Sequence, residues 1–385
     1  MHLPTYILAI FVLFALITST NVQGQVSTTQ TEEEQITTVI NRYIIGTSYS
    51  FPDTLKAAFM PEAKMFLDKA GEPLFVMTIE QYAALVAKGE AGKFNGRTTN
   101  ILSIDQFQGI AMAKLEVIIP SLQKRFVDML LLKKLDNGWK IISKTAGSEQ
   151  SKREGNKVLI VTSNAAHRAK AEFSTGNSFS EVSVAYFTYQ QAGYHVDFVS
   201  PKGGAIPLAY INPYDSLHAA ALYDTDFMYA LSHTQKPTEV NPDEYDIILY
   251  TGGSAPIFDI PQNTDIQRIA THIYEQKKGV VAAVCHGTAG IVNIKTSDGK
   301  YLVAGKNVNG YPEAFENKES ALYKHYPFVI EKEIEKRGGM FEYGEKAKAY
   351  QVTDGRLVTG QNFQSTKVLA QKSIEISRKL KNNEK

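Results

Sequence analysis

The sequence contains very little cysteine: among 385 residues the only one is Cys285. A single thiol cannot form an internal disulfide, so a disulfide-stabilised scaffold is excluded. Cys285 is therefore either a buried, unreactive side chain or a reactive thiol. It lies in the stretch AVCHGTAG, where most neighbours are small or apolar and a histidine follows directly. The fold and the acidic residues that reach Cys285 decide between the two.

The sequence also lacks an excess of either charge. Lys and Arg number 41 and Asp and Glu number 40, and the short charged stretches alternate in sign. This balance argues against a nucleic-acid or other polyanionic partner. Apolar residues make up 43% and charged residues 21%, which is typical of globular proteins, and the length predicts two domains.

Lys and Arg are absent from the N-terminal segment, where MHLPT precedes an apolar run over residues 6–18. The run is short for a membrane span and is typical of a signal peptide, with small residues near Val22 and Gly24. The sequence predicts a signal peptide over residues 1–24 and an exported protein, periplasmic or secreted. After its removal no stable membrane insertion is expected. An uncleaved N-terminal membrane anchor is the alternative.

Residues 31–146 change from helical to strand periodicity. Helices are predicted over TEEEQITTVINRYIIG, over FPDTLKAAFM and over MTIEQYAALVAKG, the last with Thr78 as N-cap. TTNILSIDQFQG, IAMAKLEVIIPS, KRFVDMLLLKKLD and WKIISKTA favour strands, and DNG at 136–138 predicts a hairpin turn. The pattern predicts an α+β domain that ends near Ala146, and the polar segment 147–156 is interpreted as a linker.

This order of elements resembles the nuclear transport factor two-like fold, which includes SnoaL-like and putative lumazine-binding domains. The resemblance implies a cone-shaped α+β domain with a curved antiparallel sheet, an internal pocket and frequent dimerisation. No His–Asp pair in the segment has a catalytic pattern, and Asp53, Asp68 and Glu80 are interpreted as capping or solvated groups. A structural or dimerising role is therefore favoured over a second active site.

From Lys157 to the C-terminus, short apolar runs rich in β-branched residues alternate with helical patterns. KVLIVTS, YHVDFVSP, EYDIILYTGG and VVAAVCHG are predicted strands, and FSEVSVAYFTYQQAG and IQRIATHIYEQKKG are predicted helices. The alternation predicts a doubly wound α/β domain over residues 157–385, with its site at the carboxyl ends of the strands. The segment Lys202–Glu239 is long enough to form an insertion or lid over that edge.

The segment VVAAVCHGTAG has the form of a nucleophile elbow, in which a strand ends at Cys285 and a glycine permits a sharp turn into a helix. The N-terminus of that helix would favour thiolate, and the His286 amide would face an oxyanion. The alternative is a buried structural cysteine. At a second strand end, Gly252 and Gly253 offer backbone N–H groups to a substrate oxygen, or form only a tight turn.

These motifs resemble the ThiJ/PfpI (DJ-one-like) superfamily of class I glutamine amidotransferase-like proteins. AVCHG, TGGSAPIFDIPQN, VDFVSPKGG, AGKNVNGYPEAFE and VTDGRLVTGQN carry the resemblance over residues 157–380. They are most similar to the glyoxalase III and heat-shock chaperone branch, which implies a flavodoxin-like, mostly parallel sheet. The resemblance also implies that Glu181 contacts the nucleophile and that Glu316 orients His286, with Glu313 as the rival for the second role.

Two positions depart from that branch. Ser254 stands in GGSA where the branch has a histidine that helps to line the site, and Phe363 stands where it has a proline. Among the other histidines, a lid-facing position is one interpretation of His218, but His167, His218 and His233 are interpreted as ordinary surface residues. No cluster has metal-ligand spacing, so the sequence predicts no metal.

The resemblance implies a cofactor-free, glutathione-independent glyoxalase III-like enzyme, a lyase of the D-lactate dehydratase type, that acts on a small carbonyl substrate. Cys285 would add to methylglyoxal or a related 2-oxoaldehyde as a hemithioacetal, and Glu181 or His286 would move the proton. A homodimer is expected from both domain families. The alternatives are a holdase chaperone, a redox sensor with an exposed low-pKa thiol, and a hydrolase of amides or peptides that uses Cys285, His286 and Glu316.

Overall fold

The computed structural model describes residues 30–69, 71–166 and 174–383. The predicted signal peptide and His167 lie outside these ranges, so export stays a prediction. No helix in the described ranges combines the length and the apolar character needed to cross a bilayer.

In the described ranges, residues 32–150 build helices on one six-stranded sheet. The helices are α1 (Glu32–Ser48), α2 (Pro52–Ala58) and α3 (Ile79–Val86). The strands are β1 (Phe59–Lys69), β2 (Glu72–Thr78), β3 (Thr98–Phe107), β4 (Ile110–Ile119), β5 (Lys124–Leu135) and β6 (Gly138–Gln150), in the order β2-β1-β6-β5-β4-β3. Only β1 and β6 pair in parallel; the other neighbours are antiparallel. Apolar side chains of the helices and of one sheet face form a shared core.

The local sequence signals in this domain are partly confirmed. The Thr78 side chain accepts a hydrogen bond from the Gln81 amide and begins α3 as predicted, and the hairpin between Leu135 and Gly138 is present. Strands β1 and β2 were not predicted, because the Pro, Glu, Ala and Lys residues of FMPEAKMFLDK have low strand propensity and the segment is held as a strand by pairing with both β2 and the distant β6. Strand β6 runs through Gln150, past the start of the predicted linker.

The second domain alternates strands and helices around a second six-stranded sheet in the described residues. Its strands are β7 (Lys157–Val161), β8 (Asn177–Ser178), β9 (His195–Val199), β10 (Leu208–Ala209), β11 (Ile247–Tyr250), β12 (Val280–Val284), β13 (Asn307–Val308), β14 (Met340–Phe341), β15 (Gln351–Asp354) and β16 (Leu357–Gly360). Its helices are α4 (Phe179–Gln191), α5 (Ser216–Leu222), α6 (Thr225–Ser232), α7 (Pro256–Asp259), α8 (Thr264–Glu275), α9 (Ala321–Lys324), α10 (Ile330–Lys336) and α11 (Thr366–Asn383).

The central sheet of this domain has the order β15-β16-β12-β11-β7-β9 and is parallel except for β15. Successive residues of β11 enter opposite cores: Ile248 packs with the helix α8 side, and Leu249 packs with the α4 and α11 side. Burial on both faces explains why these strands read as unbroken apolar runs. The predicted doubly wound α/β fold is confirmed.

A buried carboxylate joins the two domains. Glu116 on β4 accepts hydrogen bonds from Arg125 Nε and from Arg153 Nη1, each at 2.6 Å. Its second oxygen lies 3.6 Å from Nδ1 of His195 on β9. Burial alone would raise the pKa of Glu116, but His195 and the two arginines outweigh it and lower the pKa to about 2. Glu116 is thus an ionised link between the domains at neutral pH.

Helix α6, inside the insertion 202–239, also makes polar contacts with the first domain. Lys114 Nζ on β4 donates to both carboxylate oxygens of Asp226, at 2.8 and 3.0 Å. The Tyr229 hydroxyl donates to Glu33 of α1 at 2.9 Å. The insertion, which the sequence indicates as a candidate lid, is therefore bound to the first domain through the side chains of α6.

Candidate active site

Cys285 lies where β12 ends, at the carboxyl edge of the central sheet. Its backbone has φ +57°, a left-handed conformation that a residue with a Cβ rarely adopts and that costs of the order of 1–3 kcal/mol. A 3-10 helix over Cys285–Ile291 follows directly, where the sequence predicted an ordinary helix. The turn aims the cysteine side chain toward the strand end of β11 and the first turn of α4.

Two glycines make room for this turn. A Cβ on Gly252 would lie 2.9 Å from each of Cys285 Cβ, Glu181 Oε2 and the His286 nitrogen. A Cβ on Gly287 would lie 2.4 Å from the carbonyl oxygen of Tyr250. Both distances are far inside van der Waals contact, so any larger residue would displace the nucleophile or its neighbours.

Glu181 reaches Cys285 from the first turn of α4. Its side chain is almost completely buried, and Oε2 accepts a 2.6 Å hydrogen bond from the Gly252 amide. The carboxyl group is also a hydrogen-bonding partner of the Cys285 thiol. Burial raises the pKa of Glu181 to about 7, so that near neutral pH the carboxyl can both hold and release a proton.

The thiol itself differs from the sequence expectation. Cys285 is 7% exposed, and burial, followed by the charge of Glu181, raises the pKa of the thiol well above its usual range. The amides of His286 and Gly253 favour the thiolate but do not outweigh these two effects. The expectation of an exposed thiol with a low pKa was wrong, because the turn buries Cys285 beside a carboxyl group.

His286 connects Cys285 to a second acid. Its Nδ1 lies 3.5 Å from Cys285 Sγ, and its Nε2 lies 2.8 Å from Glu316 Oε1. Because a carboxylate only accepts, Nε2 carries the proton and the Nδ1 lone pair faces the thiol. This is the orientation that a base requires to take the thiol proton.

The rival acid lies elsewhere. Glu313 Oε1 accepts hydrogen bonds from Lys318 and Tyr323, and its other oxygen lies 3.1 Å from Lys332 Nζ. Although Glu313 and Glu316 are close in sequence, the 3-10 helix Glu313–Phe315 turns them to different sides. Of the two, only Glu316 contacts His286.

The paired glycines at the end of β11 have different roles. The Gly252 amide is occupied by Glu181, so it is not free for a substrate oxygen, contrary to the sequence expectation. The Gly253 amide faces the sulfur of Cys285 together with the His286 amide. Those two amides are placed to receive an oxygen bound next to the sulfur. Gly253 has φ +86°, and a Cβ there would lie 2.4 Å from the Gly176 oxygen.

With this geometry established, comparison with known proteins identifies the family. The sequence model of the DJ-1/PfpI family matches residues 169–376, more than half of the chain. The chain belongs to the DJ-1/PfpI family. A second model, described as putative lumazine-binding, matches residues 31–145. Both resemblances predicted from the sequence are confirmed.

Relatives of the DJ-1/PfpI domain include named glyoxalases. The glutathione-independent glyoxalase HSP31 of Saccharomyces cerevisiae is 33% identical over 219 residues, covering 52% of this chain and 89% of that protein. The glutathione-independent glyoxalase hsp3101 of Schizosaccharomyces pombe is 29% identical over 247 residues, covering 59% and 98%. The crystal structure of glyoxalase III from Candida albicans superposes with a TM-score of 0.52 at 28% identity, over 58% of this chain and 97% of that one.

Ser254, one of the two positions that depart from the glyoxalase branch, belongs to a chain of hydroxyl groups at the edge of the DJ-1/PfpI site. Ser254 Oγ lies 2.6 Å from Thr175 Oγ1 and 3.4 Å from the hydroxyl of Tyr210 in the insertion. Ser254 is buried, whereas most of Tyr210 is exposed. Ser254 thus links the insertion to the end of β11, and its hydrogen-bonding partners in the described residues are Thr175 and Tyr210 rather than Cys285.

The sequence did not predict the tyrosines of the DJ-1/PfpI site. The Tyr311 ring stacks on the His286 imidazole with ring centroids 4.6 Å apart. The Tyr326 hydroxyl lies 3.3 Å from His286 Nε2, on the same side as Glu316. Tyr311 and Tyr326 together fix the orientation of the His286 imidazole ring. No local motif marks them, because each reaches the site from a loop far along the chain.

The surface interpretation of His218 was wrong. The Asn212 amide donates to His218 Nδ1 at 2.9 Å, so the Nε2–H group donates to Ser180 Oγ at 2.8 Å. The ring also packs edge-on against Phe179. His218 is buried and fastens the insertion to the first turn of α4, next to Glu181. His233 is partly exposed and lies 3.4 Å from Glu33.

No group of three or more His, Cys, Asp or Glu side chains in the described part of the chain is arranged to hold a metal ion. The groups around Cys285 are instead a carboxyl, an imidazole, hydroxyls and backbone amides. This set can transfer protons and can stabilise an oxyanion beside a nucleophilic sulfur.

We expect Glu316→Gln to lower turnover by about 10²- to 10³-fold, since a neutral amide no longer fixes and stabilises the imidazole in the tautomer that faces the thiol. Glu313→Gln is the matched control, because Glu313 has a similar position in sequence and its partners are two lysines and a tyrosine. Steady-state kinetics of both variants should separate them clearly. Equal losses in the two variants would contradict the assignment of Glu316.

Proposed function

We propose that the chain is a glutathione-independent glyoxalase of the glyoxalase III type, which converts methylglyoxal or a related 2-oxoaldehyde to a 2-hydroxy acid at Cys285. The observation that carries the proposal is the buried pair of Cys285 and Glu181, with His286 held by Glu316 behind it. The named glyoxalases among the relatives support the same substrate class.

The first step forms a bond between Cys285 Sγ and the aldehyde carbon. The thiol proton passes to His286 Nδ1, 3.5 Å away, and the amides of Gly253 and His286 receive the oxygen of the former aldehyde. His286 then protonates that oxygen and leaves a hemithioacetal. Because the thiol has a raised pKa, the transfer to His286 accompanies the attack and does not precede it.

The second step is an internal oxidation and reduction. Glu181 removes the proton from the hemithioacetal carbon and delivers it to the neighbouring keto carbon, while a second proton moves between the two oxygens. The first carbon becomes a thioester carbonyl and the second becomes a secondary alcohol, so no external oxidant, reductant or cofactor is consumed. The pKa of Glu181, about 7, suits a group that accepts and returns a proton within one turnover.

Hydrolysis completes the cycle. A water molecule, deprotonated by His286, attacks the thioester, and the C–S bond breaks to return the thiol. The contact of Glu316 with Nε2 stabilises the imidazolium that forms. The net reaction adds one water to methylglyoxal and yields lactate.

Purified full-length protein should convert methylglyoxal to lactate in the absence of glutathione, and added glutathione should not raise the rate. Lactate is measured by chromatography, and intact-mass analysis of the quenched reaction should show a gain of one methylglyoxal at Cys285. The proposed proton transfer keeps all three carbons of methylglyoxal in one product, so lactate is the single expected acid. Absence of lactate formation would overturn the proposal.

The contacts of His286 with Cys285 and Glu316 also suit a hydrolase of amides or peptides, which is the second candidate. Turnover of small amides with a trapped acyl-enzyme, and no lactate from methylglyoxal, would favour it. The burial and raised pKa of Cys285 argue against the redox sensor. Chaperone activity, export and the homodimer stay predictions.

A further inference from the structure

The first domain contains a cavity of about 650 Å³ that is separate from the Cys285 site. It lies between the end of α1, helix α3 and the segments 89–97 and 119–122. Most of its wall is apolar and is formed by Leu85, Val86, Phe94, Ile119 and Leu122. Leu122 and Phe94 are about half exposed, so the mouth presents apolar surface to solvent.

One strongly polar side chain lines this cavity from within. The Arg97 side chain is 15% exposed, and its Nη2 donates to the Tyr43 hydroxyl at 2.6 Å. In the described ranges, Nη2 is the only nitrogen of the guanidinium with a hydrogen-bond partner, and Nε is fully enclosed without one. A guanidinium has five N–H donors, so most of the hydrogen-bonding capacity of Arg97 is unused.

The charges beneath Arg97 do not balance. Asp128 Oδ1 accepts a hydrogen bond from Lys144 Nζ at 2.8 Å, and Oδ2 lies 3.6 Å from Arg97. Asp128 and Lys144 are both almost completely buried. Burial raises the pKa of Tyr43 well above its usual range, so its hydroxyl stays neutral. Two buried cations therefore share one carboxylate, which leaves a net positive charge at the base of the cavity.

The remaining charges on the wall do not correct this excess. Glu90 and Lys93 pair with each other at 2.9 Å, and both are largely exposed. An uncompensated buried cation is costly, and an anion that reaches the free donors of Arg97 would offset that cost. Because Glu90 and Lys93 pair with each other and the rest of the contact surface is mainly the apolar side chains named above, the complementary molecule is charged at one end only.

We propose that this cavity binds a small monocarboxylate with an apolar body, whose carboxylate pairs with Arg97 and whose body lies along Leu85, Phe94 and Leu122. The planar guanidinium matches the two oxygens of a carboxylate, and the volume accommodates a molecule of roughly ten to fifteen heavy atoms. The site is independent of the proposed activity at Cys285, since the two lie in different domains.

The test is isothermal titration calorimetry of the full-length protein with octanoate and 3-phenylpropanoate, and with the corresponding amides as uncharged counterparts. We expect both acids to bind and both amides to bind about tenfold or more weakly, because a charge-assisted pair with Arg97 is lost. Arg97→Met keeps an unbranched apolar stem and removes the guanidinium with its charge, and we expect it to weaken acid binding by about tenfold to hundredfold.

Lys93→Met is the matched control, since it removes a positive charge from the same wall that is exposed and paired with Glu90. It should change acid affinity by less than about twofold. The acid-to-amide comparison uses the unaltered protein and does not depend on the folding of a variant. No binding of either acid, equal binding of acids and amides, or an equal loss in Lys93→Met would overturn the proposal. Methylglyoxal turnover should be the same in Arg97→Met, so failure of the cavity proposal is distinguishable from failure of the glyoxalase proposal.

Discussion

Glu181→Gln should lower methylglyoxal turnover by about 10²- to 10⁴-fold while the protein keeps its fold and its thiol. The amide has the shape of the protonated acid: its oxygen can accept the Gly252 amide, and its N–H can donate to Cys285. It cannot, however, take a proton from one carbon and return it to the next. Stopped turnover with an intact site is the expected result.

Two further measurements separate this loss from simple disruption. Removing the negative charge lowers the pKa of the thiol, so alkylation of Cys285 by iodoacetamide should become faster in Glu181→Gln than in the wild type.

The raised pKa of Glu181 also makes the wild-type free energy of unfolding fall as pH rises from about 4.5 through about 7, because the buried carboxyl must ionise. Glu181→Gln should lack this decline and be more stable at about pH 8 by roughly 1–3 kcal/mol. Slower alkylation together with lost turnover would contradict the proposed pairing.

Cys285→Ala should abolish lactate formation, with a fall in kcat of about 10⁴-fold or more, because both intermediates of the proposed cycle, the hemithioacetal and the thioester, are bonded to its sulfur. The variant keeps a Cβ at φ +57°, so the backbone strain at the turn is unchanged. Cys285→Ser is the closer isostere and should be equally inactive, because a serine hydroxyl beside a carboxylate is a weaker nucleophile.

Thermal unfolding and intact-mass analysis check the same variants. We expect the free energy of unfolding of Cys285→Ala to stay within about 1 kcal/mol of the wild type, since only one buried atom is removed. No methylglyoxal adduct should form at position 285 in either variant. Normal lactate production by Cys285→Ala would sink the covalent mechanism, whatever the adducts on other residues.

The parts of the fold that local sequence determines were predicted well. The apolar runs of β7 and β12 specify strands buried on both faces, and the cap at Thr78 begins α3 where expected. Strand β1 was missed because several of its residues have low strand propensity and its strand conformation depends on pairing with β2 and with the distant β6. The residues of β1 alone cannot indicate its pairing with β6, because β6 lies far along the chain.

The residues of the candidate site also fall into those that local sequence marks and those that depend on tertiary contacts. Cys285 and His286 are marked by the turn after an apolar strand, whereas Glu181 alone has the pattern of an ordinary first-turn acid and was named only through the family resemblance. The raised pKa of the thiol depends on burial, and the stacking of Tyr311 on His286 depends on tertiary packing. Neither the raised pKa of the thiol nor the Tyr311–His286 stacking can be predicted from the residues next to Cys285 in the sequence.

The junction at Glu116 bears on how the chain unfolds. Its carboxylate is shared by Arg153, which follows β6, and lies beside His195 of the second domain. If the second domain lost its structure first, Glu116 would keep Arg125 but lose His195, and if the first domain did, His195 would keep Asp197 but lose Glu116. The two domains carry separate cores, but this shared ion cluster couples them, so unfolding of one domain should lower the free energy of unfolding of the other.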